Sequence, residues 1–355
     1  MSLTNSASPA FADVPTAVPF RRAFSVVYLE DAAASHPRAQ RILAKLPDAE
    51  IIRCRDYREV FHRRNQSPVL QKNAQALILA VSDRPRVYEG APVCQDFGNR
   101  RFYYTSDVMN CIFDCEYCYL QGMYPSGNIV VFVNSEDTFT ALDKLLSEDP
   151  VSSAEAGEPL YVSISYDTDL LALEPLLGFV SEWISYAESR PALTLELRTK
   201  SASAATLRAL PVSDHVILAL TLSPDEVIRA VEHRTPSLSA RLAFASEALS
   251  LGWNVRLCFD PIIAVHDAAS VYNAMFDEVF SALPMERIRD ASVGQFRISH
   301  EYLKEMRRRR PCAVTCYPYE LTDGVYHYPP EIGDPLIRLA VDRLSEVMPR
   351  ERIYL

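Results

Sequence analysis

The stretch that most constrains this chain is Cys111-Ile112-Phe113-Asp114-Cys115-Glu116-Tyr117-Cys118, three cysteines in eight residues at a three-then-two spacing. An iron–sulfur cluster normally takes four thiolates, one on each iron. Three thiolates on one tight loop hold three irons of a [4Fe–4S] cubane and leave the fourth open to a non-protein ligand. The competing use of the same thiols is structural zinc. Zinc wants a closed tetrahedral shell, usually from paired C-x-x-C knuckles, and no fourth Cys or His lies close by in sequence. The spacing therefore predicts a cluster on Cys111, Cys115 and Cys118.

Eight cysteines in 355 residues, three of them clustered, argue against a secreted disulfide scaffold. A reducing, cytoplasmic setting fits. At 48% hydrophobic the chain can bury one large core, or one core plus a small domain. No run approaches the ~20 apolar residues of a membrane span, so no membrane partner is expected. Residues 1–20, rich in Ser, Ala and Pro, read as a disordered leader without signal-peptide features. The net charge of −10 opposes indiscriminate nucleic-acid binding. Charge reverses locally: from Phe296 to Cys312 six Arg/Lys stand against two Glu, and four of the six are the run Arg307, Arg308, Arg309 and Arg310. That run is either a solvated helix end or a phosphate contact.

Three strands with intervening helical segments, Ala23–Leu29, Glu50–Cys54 and Ala76–Val81, predict a small N-terminal α/β domain over 21–95. From 96 to 298 the pattern lengthens. Apolar strands are expected at Arg101–Thr105, Ile129–Val133, Leu160–Ser165, Leu193–Leu197, His215–Thr221 and Asn254–Phe259, with amphipathic helices between them. Short runs buried on both faces and separated by helices mean a parallel sheet. Six such units predict an α/β fold with a partial (β/α)6 barrel. In parallel α/β architectures ligands gather at the carboxyl ends of strands, and the cysteine loop follows the first of these. Residues 299–355 depart from the pattern. A helix capped by Ser299 and stopped by Pro311 is expected, then a β-hairpin about Asp323-Gly324, then a closing helix from Pro335 to Val347.

The C-x-x-x-C-x-x-C motif, with an aromatic just before its last cysteine, resembles the radical S-adenosylmethionine (SAM) enzymes. Cys118-Tyr119-Leu120-Gln121 and Val131-Phe132-Val133-Asn134 resemble the spore photoproduct lyase branch. So do Tyr28-Leu29-Glu30, Lys72-Asn73-Ala74, Ser165-Tyr166-Asp167-Thr168-Asp169, Arg198-Thr199-Lys200, Leu220-Thr221-Leu222 and Asp260-Pro261-Ile262. The resemblance implies the radical SAM barrel, a [4Fe–4S] cluster, SAM bound at its open iron, and a reductant such as flavodoxin or ferredoxin. It also implies a 5′-deoxyadenosyl radical and repair of a thymine photolesion in DNA, with another DNA crosslink, a peptide or a small molecule as alternative substrates on the same scaffold. It places the backbone at Tyr117 against adenine and Thr168, Lys200 and Thr221 on SAM. Tyr117 and Tyr119 match a tyrosine pair implicated in returning the radical to SAM.

Two positions depart from that family. Its hydrogen-donating cysteine at the end of the third expected strand is Tyr166 here, and its Arg-Tyr pair at the hairpin is Glu320-Leu321. An acidic side chain facing phosphate weakens DNA binding. Cys312 or Cys316, just ahead of the hairpin, is the expected substitute hydrogen donor, with Tyr166 itself as the other candidate. The Cys312/Cys316 pair could also bind a second metal with ligands from elsewhere. Cys54, Cys94 and Cys258 stand singly and read as structural.

Overall fold

The computed structural model describes residues 24–91, 94–148 and 159–355; the expected leader lies outside them. Two mainly parallel sheets carry the fold. The first runs in the order Glu50–Cys54, Val26–Glu30, Leu77–Ala80, Ile129–Phe132, with the two-residue Val108–Met109 antiparallel at its edge. The second holds six parallel strands, Phe102–Thr105, Leu160–Ser163, Leu193–Thr199, Val216–Thr221, Asn254–Ile262 and Asp290–Gln295. Val87–Glu89 pairs antiparallel at one edge and Ile353–Tyr354 parallel at the other. The sheet stays open between these edges, so the barrel is partial.

The barrel is thus built as the sequence pattern predicts, with one strand exchanged. Ile129–Phe132 was expected in the barrel and instead pairs with Leu77–Ala80. Its side chains are almost wholly buried, as a strand in either sheet would be, so hydrophobic pattern could not choose between them. Side chains beyond its two ends make the choice. Asn128 Oδ1 accepts from the Ala76 amide at 3.0 Å, and Asn134 exchanges bonds with the Ser82 backbone at 2.8 and 3.0 Å. The vacated barrel place goes to Asp290–Gln295, whose sequence Asp-Ala-Ser-Val-Gly-Gln carries too little apolar signal to read as a buried strand.

Helices cover the barrel. Between Leu160–Ser163 and Leu193–Thr199 run two helices, Leu170–Leu177 and Phe179–Ala187, divided at Gly178 with φ of 73°. Glu174 turns its carboxylate onto the amides of Val180 and Ser181 at 2.7 and 3.1 Å, capping the second helix across the break. The Asp-Gly hairpin forms as expected between Glu320–Thr322 and Val325–His327, with Asp323 and Gly324 both at positive φ. A third strand, Arg297–Ser299, joins it. Ser299 caps the helix His300–Arg309 through its backbone alone. The closing helix begins at Pro330, not Pro335, because a proline near a helix start forfeits only one backbone bond. Among the described residues no helix is long and apolar enough to cross a membrane.

Candidate active site

Every barrel strand end named above opens on one cavity of about 440 Å3. Its wall includes Cys111, Cys115, Cys118, Tyr117 and Tyr119 from the cysteine loop, and Tyr166, Thr168, Asp169, Lys200, Thr221 and Asp260 from successive strand ends. Arg297, Ser299 and Val325 bring the hairpin sheet to the same space.

The cysteine loop is held from all sides. Lys72, in the short helical segment Lys72–Ala74, reaches the carbonyl of Phe113 at 3.0 Å, and also that of Cys111. Gln75 donates to the same Cys111 carbonyl at 3.1 Å and to Gly127 at 2.8 Å. Asp114–Cys115 pairs antiparallel with Glu232–His233, and the Glu116 amide bonds Val231 at 2.8 Å. Burial pulls the Lys72 ammonium down from its ordinary pKa, opposed by the Cys111 and Cys118 sulfurs.

Cys115 is buried and Cys111 and Cys118 are half-buried in the cavity wall; desolvation pushes all three thiols up, Cys111 to about 12 and Cys115 well above a free thiol. Desolvated thiols of this kind are inert until a metal makes them thiolates. Among the described residues no three His, Cys, Asp or Glu are grouped to hold a single metal ion. A cubane needs one thiol on each of three irons and no shared point, so the donor set fits it.

The remaining residues divide by what their polar atoms touch. Thr168 is buried with its hydroxyl unpartnered in the cavity wall. Lys200, half-buried, lies over the Tyr117 ring at 5.5 Å. Burial alone would lower its pKa; the facing Cys115 and Glu232 reverse that and raise it. The Tyr117 hydroxyl donates to Glu232, which is itself paired with Arg241 at 2.5 Å and accepts from Ser223 at 2.9 Å. Tyr119 donates to the Tyr166 carbonyl at 2.8 Å and to Asp167 at 3.2 Å. Asp169 caps Leu170–Leu177 and ties that strand end to its neighbour through Thr199 and the Lys200 amide, both at 2.7 Å.

Two expectations meet a different geometry. Cys312 and Cys316 are not in the cavity wall. Cys312 sits against Thr315 at 3.4 Å, and Cys316 is exposed. No further ligand joins them among the described residues. The arginine run is mostly bound to its own chain. Arg307 bonds the carbonyls of Thr315 and Tyr317 at 2.7 and 3.3 Å. Arg309 bonds those of Gln121 and Tyr124 at 2.6 and 2.7 Å, and Arg310 pairs with Asp114 at 2.9 Å and Glu116 at 3.1 Å. Only Arg308 points outward, 68% exposed beside Glu305. A helix C-terminus packed on the cysteine loop uses its guanidinia as clamps, which leaves few for phosphate.

Several members of the cavity wall, such as Glu196, Arg297 and Tyr302, were not assigned to the site from the sequence, and Cys94 is another. Cys94, taken as structural, lies in the wall with its sulfur 2.8 Å from the Tyr166 hydroxyl. A single cysteine in a connector carries no pattern to find it by.

Comparison with known proteins follows this geometry. The model of the spore photoproduct lyase family matches residues 102–318. The chain belongs to that family. It is 23% identical over 185 residues to the spore photoproduct lyase of Clostridium acetobutylicum, a match spanning 51% of this chain and 52%, about half, of that relative. Among solved structures it resembles a cysteine-to-alanine variant of spore photoproduct lyase with a TM-score of 0.77, at 20% identity, covering 93% of this chain and 98% of the other. A spore photoproduct lyase complexed with dinucleoside spore photoproduct gives 0.76 at 20% identity, covering 94% and 99%. A double variant with bound AdoMet and dinucleoside spore photoproduct also gives 0.76 at 20% identity, covering 92% and 97%. The fold is the radical SAM fold, and family members keep it at this low identity.

Proposed function

We propose that this chain is a radical SAM lyase of the spore photoproduct lyase type, cleaving a methylene-bridged thymine photolesion in DNA. The observation that carries the reading is the meeting of three cysteines, Cys115 buried and Cys111 and Cys118 half-buried, and the unpartnered Thr168 hydroxyl in one cavity at the carboxyl ends of the barrel strands. Cys111, Cys115 and Cys118 would hold a [4Fe–4S] cluster, and Thr168, Lys200, Thr221 and the Tyr117 backbone would hold SAM. When bound, the two supply a 5′-deoxyadenosyl radical. The chain's own part is to bind, orient and exclude water. Lys200 offers an ammonium to a carboxylate, and Thr168 a hydroxyl to a polar ligand. Lys72 and Gln75 hold the loop carbonyls and so fix the backbone from which the three thiols project. The damaged bases must leave the stack to reach this depth. A cytoplasmic location and a flavodoxin or ferredoxin reductant belong to the same reading, since the cluster needs an electron and shelter from oxygen.

A second substrate class on the same scaffold is favoured by the exposed acidic Glu320 on the hairpin and by the engagement of Arg307, Arg309 and Arg310 within the chain. One assay separates the two. The reduced, reconstituted protein is incubated anaerobically with SAM and ultraviolet-irradiated spore-type DNA. Restored thymine supports the lyase. Steady SAM cleavage with the lesion intact overturns it in favour of another substrate.

A further inference from the structure

We infer that Arg198 recognises the substrate, its guanidinium donating to the neutral carbonyl edge of a pyrimidine ring of the lesion inside the cavity. The inference rests on the lyase reading and deepens it.

Arg198 lies on Leu193–Thr199 and in the cavity wall. It is in register with Ala219 on the neighbouring strand, and Ala219 with Arg256 on the next, so the three share the inner face of the sheet. Two residues before Lys200, it sits about 7 Å down the strand from the end where SAM is expected. The side chain is half-buried, and its Nε is shut off from solvent with no hydrogen-bond partner. Among the described residues the guanidinium makes ion-pair approaches only and donates no hydrogen bond to the chain. A guanidinium offers donors alone, so one left unmet in a cavity wall fits an acceptor brought from outside the chain.

What kind of acceptor follows from its neighbours. Glu196 Oε1 lies 3.4 Å from the Arg198 Nε, and Asp260 Oδ2 lies 4.0 Å from its Nη1. Both carboxylates take their hydrogen bonds elsewhere. Glu196 accepts from Tyr161 at 2.6 Å and Arg256 at 3.0 Å, and Asp260 accepts from the two Nη atoms of Arg297 at 3.0 and 3.2 Å. Burial would lower the Arg198 pKa, but Cys258, Glu196 and Asp260 outweigh it and raise it. The positive charge is therefore balanced while the donors are not. A phosphate at Arg198 would be brought against two carboxylates and repelled. A neutral carbonyl supplies lone pairs without that repulsion. The rest of the wall suits a flat ring, with Tyr104 stacked on Tyr166 at 4.3 Å and Phe296 facing the same space. A base taken out of its stack exposes its carbonyl edge, and hydrogen bonds to that edge are how an extruded base is read.

The test measures binding by calorimetry to the reconstituted, unreduced protein with SAM present, so that no turnover occurs. The ligands are dinucleoside spore photoproduct and the same lesion joined by its phosphodiester. The proteins are the parent, Arg198→Met and Arg198→Gln. Because Arg198 donates to nothing in the chain, Arg198→Met strands no acceptor, and its thermal unfolding should stay near the parent's. It should bind both lesions about tenfold more weakly, to the same extent, with SAM affinity unchanged. Arg198→Gln, which keeps amide donors and loses the charge, should recover part of that loss. In turnover the KM for the dinucleoside should rise with kcat held, as for a contact made equally in the ground and transition states. Parental affinity for the dinucleoside in both variants makes Arg198 part of the scaffold and overturns the assignment. A loss confined to the phosphodiester-linked lesion assigns the phosphate instead, and an equal loss of SAM affinity assigns the cofactor; either overturns it. A parent that binds SAM and neither form of the lesion overturns the lyase reading itself, and this assignment with it.

Discussion

Gly122 faces the backbone of Tyr302 so closely that a Cβ there would lie 2.4 Å from the Tyr302 carbonyl oxygen. The contact joins the single helical turn after Cys118, Leu120–Met123, to the helix His300–Arg309. The obstacle is backbone on a packed helix, which cannot swing aside as a side chain could. Gly122→Ala should therefore force the two elements apart at a cost of about 1–3 kcal/mol. Urea unfolding of the apo protein measures the stability loss, and iron content after reconstitution measures its effect on the cysteine loop. Unchanged values for both would show that the seam has slack.

The same seam reassigns the arginine run. Arg308→Ser, at the only outward position, should leave stability alone and reduce the salt slope of DNA binding by no more than about one phosphate contact. Arg309→Ser should instead destabilise the fold by roughly 3 kcal/mol, because it strands the carbonyls of Gln121 and Tyr124 at the edge of the cluster loop. A large loss of slope in Arg308→Ser, or a stable Arg309→Ser, would reverse these roles.

Asp107 supplies a pH dependence. It lies buried between Phe102–Thr105 and Val108–Met109, with one oxygen accepting from Thr138 at 2.6 Å and the other unpartnered. Burial pushes its carboxyl up to about 7, against the opposing pull of Thr138, Arg86 and Arg38. Between its unfolded pKa of about 4 and its folded value, the native state holds a proton that the unfolded chain has released. This contribution to stability is complete below about pH 4 and is lost as pH rises through about 7. Asp107→Asn keeps an acceptor for Thr138 and removes the titration. It should flatten the fall in unfolding free energy between about pH 4 and pH 7, by up to a few kcal/mol on the order-of-magnitude scale. An unaltered slope would place the titration elsewhere.

What the sequence made legible follows from the range of the signals. The Asp323-Gly324 turn and the run of doubly buried strands are local patterns with one physical solution each, and the structure holds both. Ile129–Phe132 was legible as a strand and illegible as to sheet, since its partner was chosen by the side chains of Asn128 and Asn134 meeting residues 52 positions away. The arginine run was ambiguous for the reverse reason. A charge run looks the same in sequence whether it faces solvent or caps distant carbonyls. Cys94 was invisible because its meaning lies wholly in the Tyr166 hydroxyl, 72 positions on.

Thr168 gives the sharpest separation of a binding role from a structural one. Its hydroxyl has no partner in the chain, so Thr168→Val removes no internal hydrogen bond and relieves a buried polar atom of its desolvation. The apo protein should be at least as stable as the parent. If the hydroxyl is there to meet SAM, affinity should nevertheless fall by about fivefold to tenfold, the ordinary worth of one hydrogen bond. Calorimetric titration of SAM into the reconstituted protein and thermal unfolding of the apo protein give the two numbers separately. A variant that loses stability and keeps its SAM affinity would make Thr168 part of the scaffold, and would remove the hydroxyl from the set that receives the cofactor.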